Sequence, residues 1–277
     1  MTATSAAAGP AAPAPATRAP APRPAGPRIL AAVTRNEARL YLREPAAVFF
    51  GLFFPTVLLV ALGLLMPWAD QPFDTKDPVL SQITAITGYV PIVLALAIGT
   101  VAYTTFPPAM AAYREKGVLR RLSTTPLPPS RLLVAQLLVN LAVLLVASAL
   151  AVAAGAVVLD VAMPTSPAVT VLSFVVGAAA SMAVGTLIAA LAPTAGASTG
   201  AGMLVYMTSM FFAGVWFPLP LMPDALQTIS RFTPLGAASQ ALAAGWYEGR
   251  VPGVELVVMA VWTVVLVPLA ARLFRWT

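Results

Sequence analysis

Apolar residues run through this chain in long uncharged stretches broken by short polar segments. Ala46 to Met66 is the first such stretch. At about 1.5 Å per residue it can cross a hydrocarbon core of about 30 Å. A polar loop follows with Asp70, Asp74, Lys76 and Asp77. The next uncharged stretch, Val79 to Tyr113, is longer than one crossing needs. Pro91, Pro107 and Pro108 are expected to kink it, and its end is expected to leave the bilayer. Leu132 to Leu159 is the third stretch, and Asp160 to Pro167 is a short loop. No charged residue lies between Asp160 and Asp224, which leaves room for two crossings with a hairpin at Pro193 to Ser198. Residues 218–252 are only moderately apolar. Within them Leu226 to Leu242 is interrupted by Arg231 and Pro234, which predicts a re-entrant or interfacial pair of short helices. Gly253 to Ala271 forms the last stretch, with Glu255 near its start. The pattern predicts an all-α integral membrane protein. Its six transmembrane helices are expected near 46–67, 80–110, 132–159, 168–192, 197–217 and 253–272.

Two segments precede the first crossing. Residues 1–27 are rich in Ala, Pro and Thr, with Arg18 and Arg23. Such a segment buries too little apolar surface to offset its ordering entropy, so it reads as a disordered tail. It lacks the apolar core of a secretory signal. Residues 28–44 fit an amphipathic helix. At about 100° per residue, Ile29, Leu30, Val33, Leu40 and Tyr41 share one side, and Arg35, Arg39 and Arg43 form a stripe opposite. Glu37 interrupts the apolar side. The segment reads as an interfacial helix lying on the bilayer, or as a solvated lead-in to the first span.

The charges then orient the chain. Of 16 basic residues, six precede the first span (Arg18, Arg23, Arg28, Arg35, Arg39, Arg43). Five lie between spans two and three (Arg114, Lys116, Arg120, Arg121, Arg131) and two follow the last span (Arg272, Arg275). Lys76, Arg231 and Arg250 occupy the alternate loops. By the positive-inside rule both termini are cytoplasmic. The net charge of +6 thus reflects topology, and nothing else supports nucleic-acid binding. Hydrophobic residues make up 59% of the chain and charged residues 9%, against about 25% charged in soluble domains.

Catalytic chemistry finds little to use. The chain has no cysteine and no histidine, which excludes thiol nucleophiles, Ser-His-Asp triads and zinc sites of the Cys/His type. Lysine occurs only at Lys76 and Lys116, and neither stands in a Gly-Lys-Ser/Thr context. No phosphate-cradling loop is present. The chain is expected to bind no cofactor of its own.

The segment from Tyr113 to Arg131 is short, basic and ended by Pro126, Pro128 and Pro129. Gly117 within it would permit close backbone approach to a neighbour. Its plain reading is a positive-inside anchor. The run Arg114-Glu115-Lys116-Gly117, followed by Leu122 and Thr125-Pro126, also resembles the coupling loop of type-2 ABC transporter permeases. Phe212 to Pro218, then Met222-Pro223, then Thr233-Pro234-Leu235, are similar to a second series of motifs in that family. The resemblance extends over residues 28–277, and daunorubicin and antibiotic-resistance exporter permeases are the nearest relatives it suggests. The Ala/Pro-rich tail departs from the family pattern.

The resemblance implies a membrane subunit that pairs with a second permease copy and with separately encoded ATP-binding subunits, which hold the ATP and magnesium. Arg114, Glu115, Gly117, Arg121, Leu122 and Pro126 would contact the ATPase, with Arg114, Glu115 and Arg121 as ion-pairing candidates. The cargo would be a drug, antibiotic or other amphipathic or lipid-like compound leaving a bacterial cell. Tyr206, Met207, Met210, Phe211 and Phe212 in span five are candidates for an adaptable apolar path, or are ordinary core and lipid-facing residues. Gly177, Ser181 and Gly185 in span four, and Gly196 and Gly200 in span five, have the spacing of close helix contacts. The rival functions are an ion-coupled secondary transporter, a membrane enzyme and a non-transporting scaffold. The first would need carboxylates within the membrane, and Glu255 alone comes near.

Overall fold

The computed structural model describes residues 27–123 and 130–274. The Ala/Pro-rich segment before Pro27, and Thr125 and Pro126 of the expected coupling loop, lie outside them. Among the described residues the chain is helical, with one isolated bridge between Pro72 and Thr84.

Helix α1, Pro27–Tyr41, covers the expected amphipathic segment. The first span, α2, is Pro45–Leu65, with a π-helical turn at Phe49–Phe53 just before Pro55. The second, α3, is Ala85–Glu115. It begins and ends about five residues later than the apolar pattern predicts. Thr84 caps its start by accepting from the Thr87 amide. Its last turn holds the charged pair Arg114 and Glu115. Pro91 is accommodated inside the helix. Pro107 and Pro108 are preceded by a six-residue π-helical stretch, Thr100–Thr105. A proline in a helix interior leaves a carbonyl without its amide partner, and widening the turn is one way to absorb it.

The short helix α4 is Val118–Ser123. It is separated from α3 by a turn at Lys116 and Gly117, where Gly117 has φ +66°. The charged run at 113–122 is therefore divided between two helices. Gly117 serves conformation here, since a Cβ at that position would meet nothing within 4 Å. Next come α5, Ser130–Val158; α6, Pro167–Leu191; and α7, Ala195–Phe212. Then α8, Asp224–Phe232, and α9, Pro234–Ala243, are followed by a π-helical turn at Ala244–Glu248. Helix α10 is Gly253–Leu273.

Helices α2, α3, α5, α6 and α10 are long and apolar enough to cross a membrane. Helix α7 has 18 residues, but residues 195–202 are all Gly, Ala, Ser and Thr, and it does not join those five. Burial sorts the five. In the most apolar 18 residues of α3, 94% are buried, against 17% for α2 and 22% for α10. Helix α3 packs against α2, α5, α6, α7 and α9, whereas α10 packs on α6 and α9, and both α2 and α10 turn one side outward.

Two poles result. The basic pole gathers α1, the end of α3, α4, the α6–α7 hairpin and the end of α10. The opposite pole carries the loop from Pro67 to Thr84 and the segment from Asp160 to Ser166. Helices α8 and α9 form a V in that half of the molecule. Leu235 at its tip reaches Gly99 of α3, and Trp262 of α10 donates to the Phe232 carbonyl at 2.9 Å. After α9 the chain comes back to the pole opposite the basic one: Thr165 and Ser166 amides donate to the Trp246 and Gly245 carbonyls. Helix α9 is almost wholly buried, whereas Ile229 and Phe232 of α8 are exposed.

Candidate coupling site

The last turn of α3 brings three consecutive side chains to three different elements. Tyr113 Oη donates to Glu37 Oε2 of α1 at 2.6 Å. Arg114 reaches the end of α6, donating to the carbonyls of Ala189 at 2.6 Å and Ala192 at 2.8 Å. Glu115 Oε2 accepts from the Ala195 amide, the first residue of α7, at 2.9 Å.

The chemistry of the last two contacts follows from helix ends. The final carbonyls of α6 and the first amides of α7 have no partner within their own helices. A guanidinium suits the carbonyl end and a carboxylate the amide end, because each opposes the partial charge exposed there. Thr194 covers a further amide by accepting from Ala197. The hairpin at residues 192–194 is thus held from both sides by one arginine–glutamate pair. The Arg114 guanidinium also lies 5.2 Å from the Phe274 ring centroid, just past α10, within cation–π range.

Glu37 interrupts the apolar side of α1 in the sequence, and the structure shows why. It is 4% exposed and accepts from Gln136 Nε2 of α5 at 2.5 Å as well as from Tyr113. The network continues inward. Asn140 Nδ2 donates to the Gln136 carbonyl at 2.8 Å, and Thr105 Oγ1 donates to Asn140 Oδ1 at 3.0 Å. Burying a carboxylate without such donors would be costly. Gln136 and Asn140, four residues apart in an otherwise apolar span, were a legible signal of a buried polar face. Tyr41 pins the joint between α1 and α2 by donating to the Ala47 carbonyl at 2.7 Å, and burial pushes its phenol up to about 12. A groove of about 600 Å³ runs between α1 and the α3–α4 corner, lined by Ile29, Val33, Glu37, Tyr113 and Val118 among others.

The residues expected at the subunit contact therefore part company. Arg114 and Glu115 are engaged inside the chain. Lys116 and Arg121 are exposed, with Arg121 Nη2 3.4 Å from the Lys116 carbonyl. Leu122 lies in α4, its side chain outside the described residues. Arg35, Arg39 and Arg43 are all exposed on α1 and just beyond it.

The five residues suggested as a substrate path do not share one surface of this chain. Tyr206 and Met210 are buried, and Tyr206 Oη is 2.8 Å from Thr100 Oγ1 of α3. Met207 and Phe211 are exposed, and Phe212 is half-buried. The small residues separate similarly. A Cβ on Gly177 would stand 2.7 Å from Ala238 Cβ, and one on Gly185 would stand 2.1 Å from the Ala102 carbonyl oxygen. Ser181 between them is fully buried. In α7 the close contact is made by Gly202 against the Tyr103 carbonyl, while Gly196 and Gly200 have nothing within 4 Å.

At the other pole Glu255 is 1% exposed. Arg231 Nε lies 3.2 Å from its Oε1 and Arg250 Nη2 lies 3.6 Å away. Arg250 also pairs with Glu248. At the same pole Asp74 and Asp77 cap local turns, accepting from the amides of Lys76, Val79 and Leu80.

Residues 29–247 match the family model described as ABC-2 type transporter. The chain belongs to the ABC-2 type transporter family. The match runs from α1 through α3, α4 and the α6–α7 hairpin to the turn after α9. An ABC-2 protein is the membrane-spanning component of an ABC transporter and typically works with a separate ATP-binding subunit. This chain is accordingly a multi-pass membrane permease. Among curated proteins none matches it.

Proposed function

We propose that this ABC-2 protein is the permease half of an ATP-driven exporter in a bacterial cell membrane. It crosses the bilayer six times, with α7 as the fifth crossing and both termini in the cytoplasm. Helix α1 lies in the inner interface with Arg35, Arg39 and Arg43 toward headgroups and water, and α8 and α9 form a re-entrant pair in the outer half. The transporter domain is residues 28–277, and the Ala/Pro-rich segment before it is cytoplasmic.

The observation that carries this reading is the presentation of α4. It hangs from the buried axial helix α3 through the left-handed turn at Gly117, with Lys116 and Arg121 exposed beside it. A basic knob so mounted suits an acidic groove on an ATP-binding subunit, with Leu122 and Pro126 completing the contact. ATP and magnesium belong to that subunit. A conformational change is transmitted only if the knob interacts differently with the two states of the ATPase.

A second permease copy fits the open face of α7. Gly196, Gly200, Met207 and Phe211 recur on it at helical spacing and leave it without a partner in this chain. An amphipathic drug, antibiotic or lipid-like compound would pass between the copies along Met207, Phe211 and Phe212, with Tyr206 and Met210 backing the wall. Of the two buried carboxylates, Glu37 accepts two hydrogen bonds and Glu255 is paired with arginines, each near an end of the helical body. That placement favours a structural use over an ion route.

The test is co-purification in mild detergent. The parent should bring down a nucleotide-binding subunit in equal stoichiometry, and Lys116→Glu combined with Arg121→Glu should lose it while remaining folded. A folded parent that brings down no ATPase sinks the reading and restores the ion-coupled transporter. Retention of the ATPase by a folded double variant moves the contact away from α4.

A further inference from the structure

Residues 113–115 stand between the basic knob and the rest of the molecule, and each is bonded to a different element. Tyr113 is bonded to α1, Arg114 to the end of α6 and the Phe274 ring after α10, and Glu115 to the start of α7. Two features set this apart from ordinary surface pairing. Arg114 and Glu115 act on backbone groups of helix ends, so a displacement of the side chain is imposed on a whole helix. They also act on the two arms of one hairpin, which has only residues 192–194 between its helices. A push on α4 reaches α3 through the single turn at Lys116 and Gly117. The helix ends it meets next are those of α6 and α7.

Close backbone contacts extend the same linkage along α3. Gly185 of α6 and Gly202 of α7 bring their backbones against the carbonyls of Ala102 and Tyr103. Both carbonyls lie in the π-helical stretch of α3. Helices α6 and α7 are thus attached to α3 at two levels, one through charged side chains and one through backbone contact. Interdigitated contacts of this kind move as a unit, because packed interiors have little slack.

We propose that Arg114 and Glu115 are positioning residues that transmit displacement of α4 to the α6–α7 hairpin, making this hairpin the first moving part of the permease. The proposal rests on the permease reading above. It differs from it in placing these two residues behind the subunit contact.

The experiment uses the full chain with its co-purified ATP-binding subunit in nanodiscs. The chain has no cysteine, so two introduced cysteines can be spin-labelled uniquely. Pro193→Cys marks the hairpin, where the residue is exposed, and Val157→Cys marks the far end of α5, where the side chain is 85% exposed. The distance between labels is measured without nucleotide and with ATP–vanadate. The parent should shift on trapping. Arg114→Gln and Glu115→Gln should keep the ATPase and its hydrolysis but hold the nucleotide-free distance, and Arg114→Lys should recover part of the shift.

A second arm needs no ATPase. In the chain alone, Glu115→Gln should speed hydrogen exchange at the Ala195 amide about two- to fivefold, and Tyr113→Phe should leave it unchanged. Variants that shift as the parent does, a parent that does not shift, or unchanged exchange at Ala195 each overturn the proposal. A parent preparation lacking any ATP-binding subunit strikes instead at the permease reading, and the exchange arm then judges the clamp by itself.

Discussion

Helix α3 is gripped differently along its length. Toward the basic pole its closest neighbours are backbones. Gly185 and Gly202 face the Ala102 and Tyr103 carbonyl oxygens, each so near that a Cβ would stand 2.1 Å away. The charged pair at its end binds the backbone of α6 and α7. Toward the opposite pole its neighbours are side chains. A Cβ on Gly88 would meet the Phe73 ring at 2.6 Å, and Trp68 and Tyr89 pack with ring centroids 5.0 Å apart. Charge there is settled between side chains as well, with Arg231 and Arg250 around Glu255. Side chains can change rotamer, whereas a helix backbone moves as a body. The contrast assigns rigid transmission to the basic half and local adjustment to the other.

The largest expected effect tests that contrast directly. Gly185→Val and Gly202→Val drive side-chain atoms into carbonyl groups that cannot swing aside. Each should cost about 3 kcal/mol or more, seen as a fall of many degrees in the apparent melting point in detergent. Gly88→Ala should cost less, about 1–2 kcal/mol, because its obstacle is the Phe73 ring, a side chain that can shift where a helix carbonyl cannot. Equal losses at all three positions would break the comparison.

Removing the buried carboxylate at the basic pole comes next. Glu37→Ala leaves the Tyr113 hydroxyl and the Gln136 amide without their acceptor. A cost of about 2–3 kcal/mol is expected from the same melting assay, with Glu37→Gln milder because it keeps one carbonyl oxygen.

Glu255→Gln should be gentler, about 1–2 kcal/mol. Its carboxylate is buried, but the arginine side chains are 43% exposed and water can replace the lost partner. High salt should narrow the gap between parent and variant here more than for Glu37→Gln.

The smallest effect belongs to the open face of α7. Gly196→Ala and Gly200→Ala should change the stability of the isolated chain by less than about 0.5 kcal/mol. A larger loss that depends on protein concentration would place both glycines in the contact with a second copy.

Much of this was legible along the chain. The apolar runs set out α2, α5, α6 and α10 within a few residues, because a bilayer demands both length and the absence of charge. The proline-broken stretch at 218–252 announced two short helices. Where the end of α3 slipped, charge was the reason. Helix α3 extends to Glu115 because the helix ends of α6 and α7 supply partners for Arg114 and Glu115, which periodicity alone reads as solvated. The weak apolarity of α7 follows from small residues that let Gly202 approach α3.

Sequence by itself determined the solvent of this protein, its helical class, the uneven placement of its basic residues and its family. These depend on composition and order along the chain. Tertiary structure decided which small residues make contact, since Gly196, Gly200 and Gly202 share one helix and differ in the face they occupy. It also set Arg114 and Glu115 against the ends of α6 and α7 and gave Glu37 its donors from α3 and α5. Those partners lie some 75 to 100 residues away in the chain, a distance that no local pattern spans.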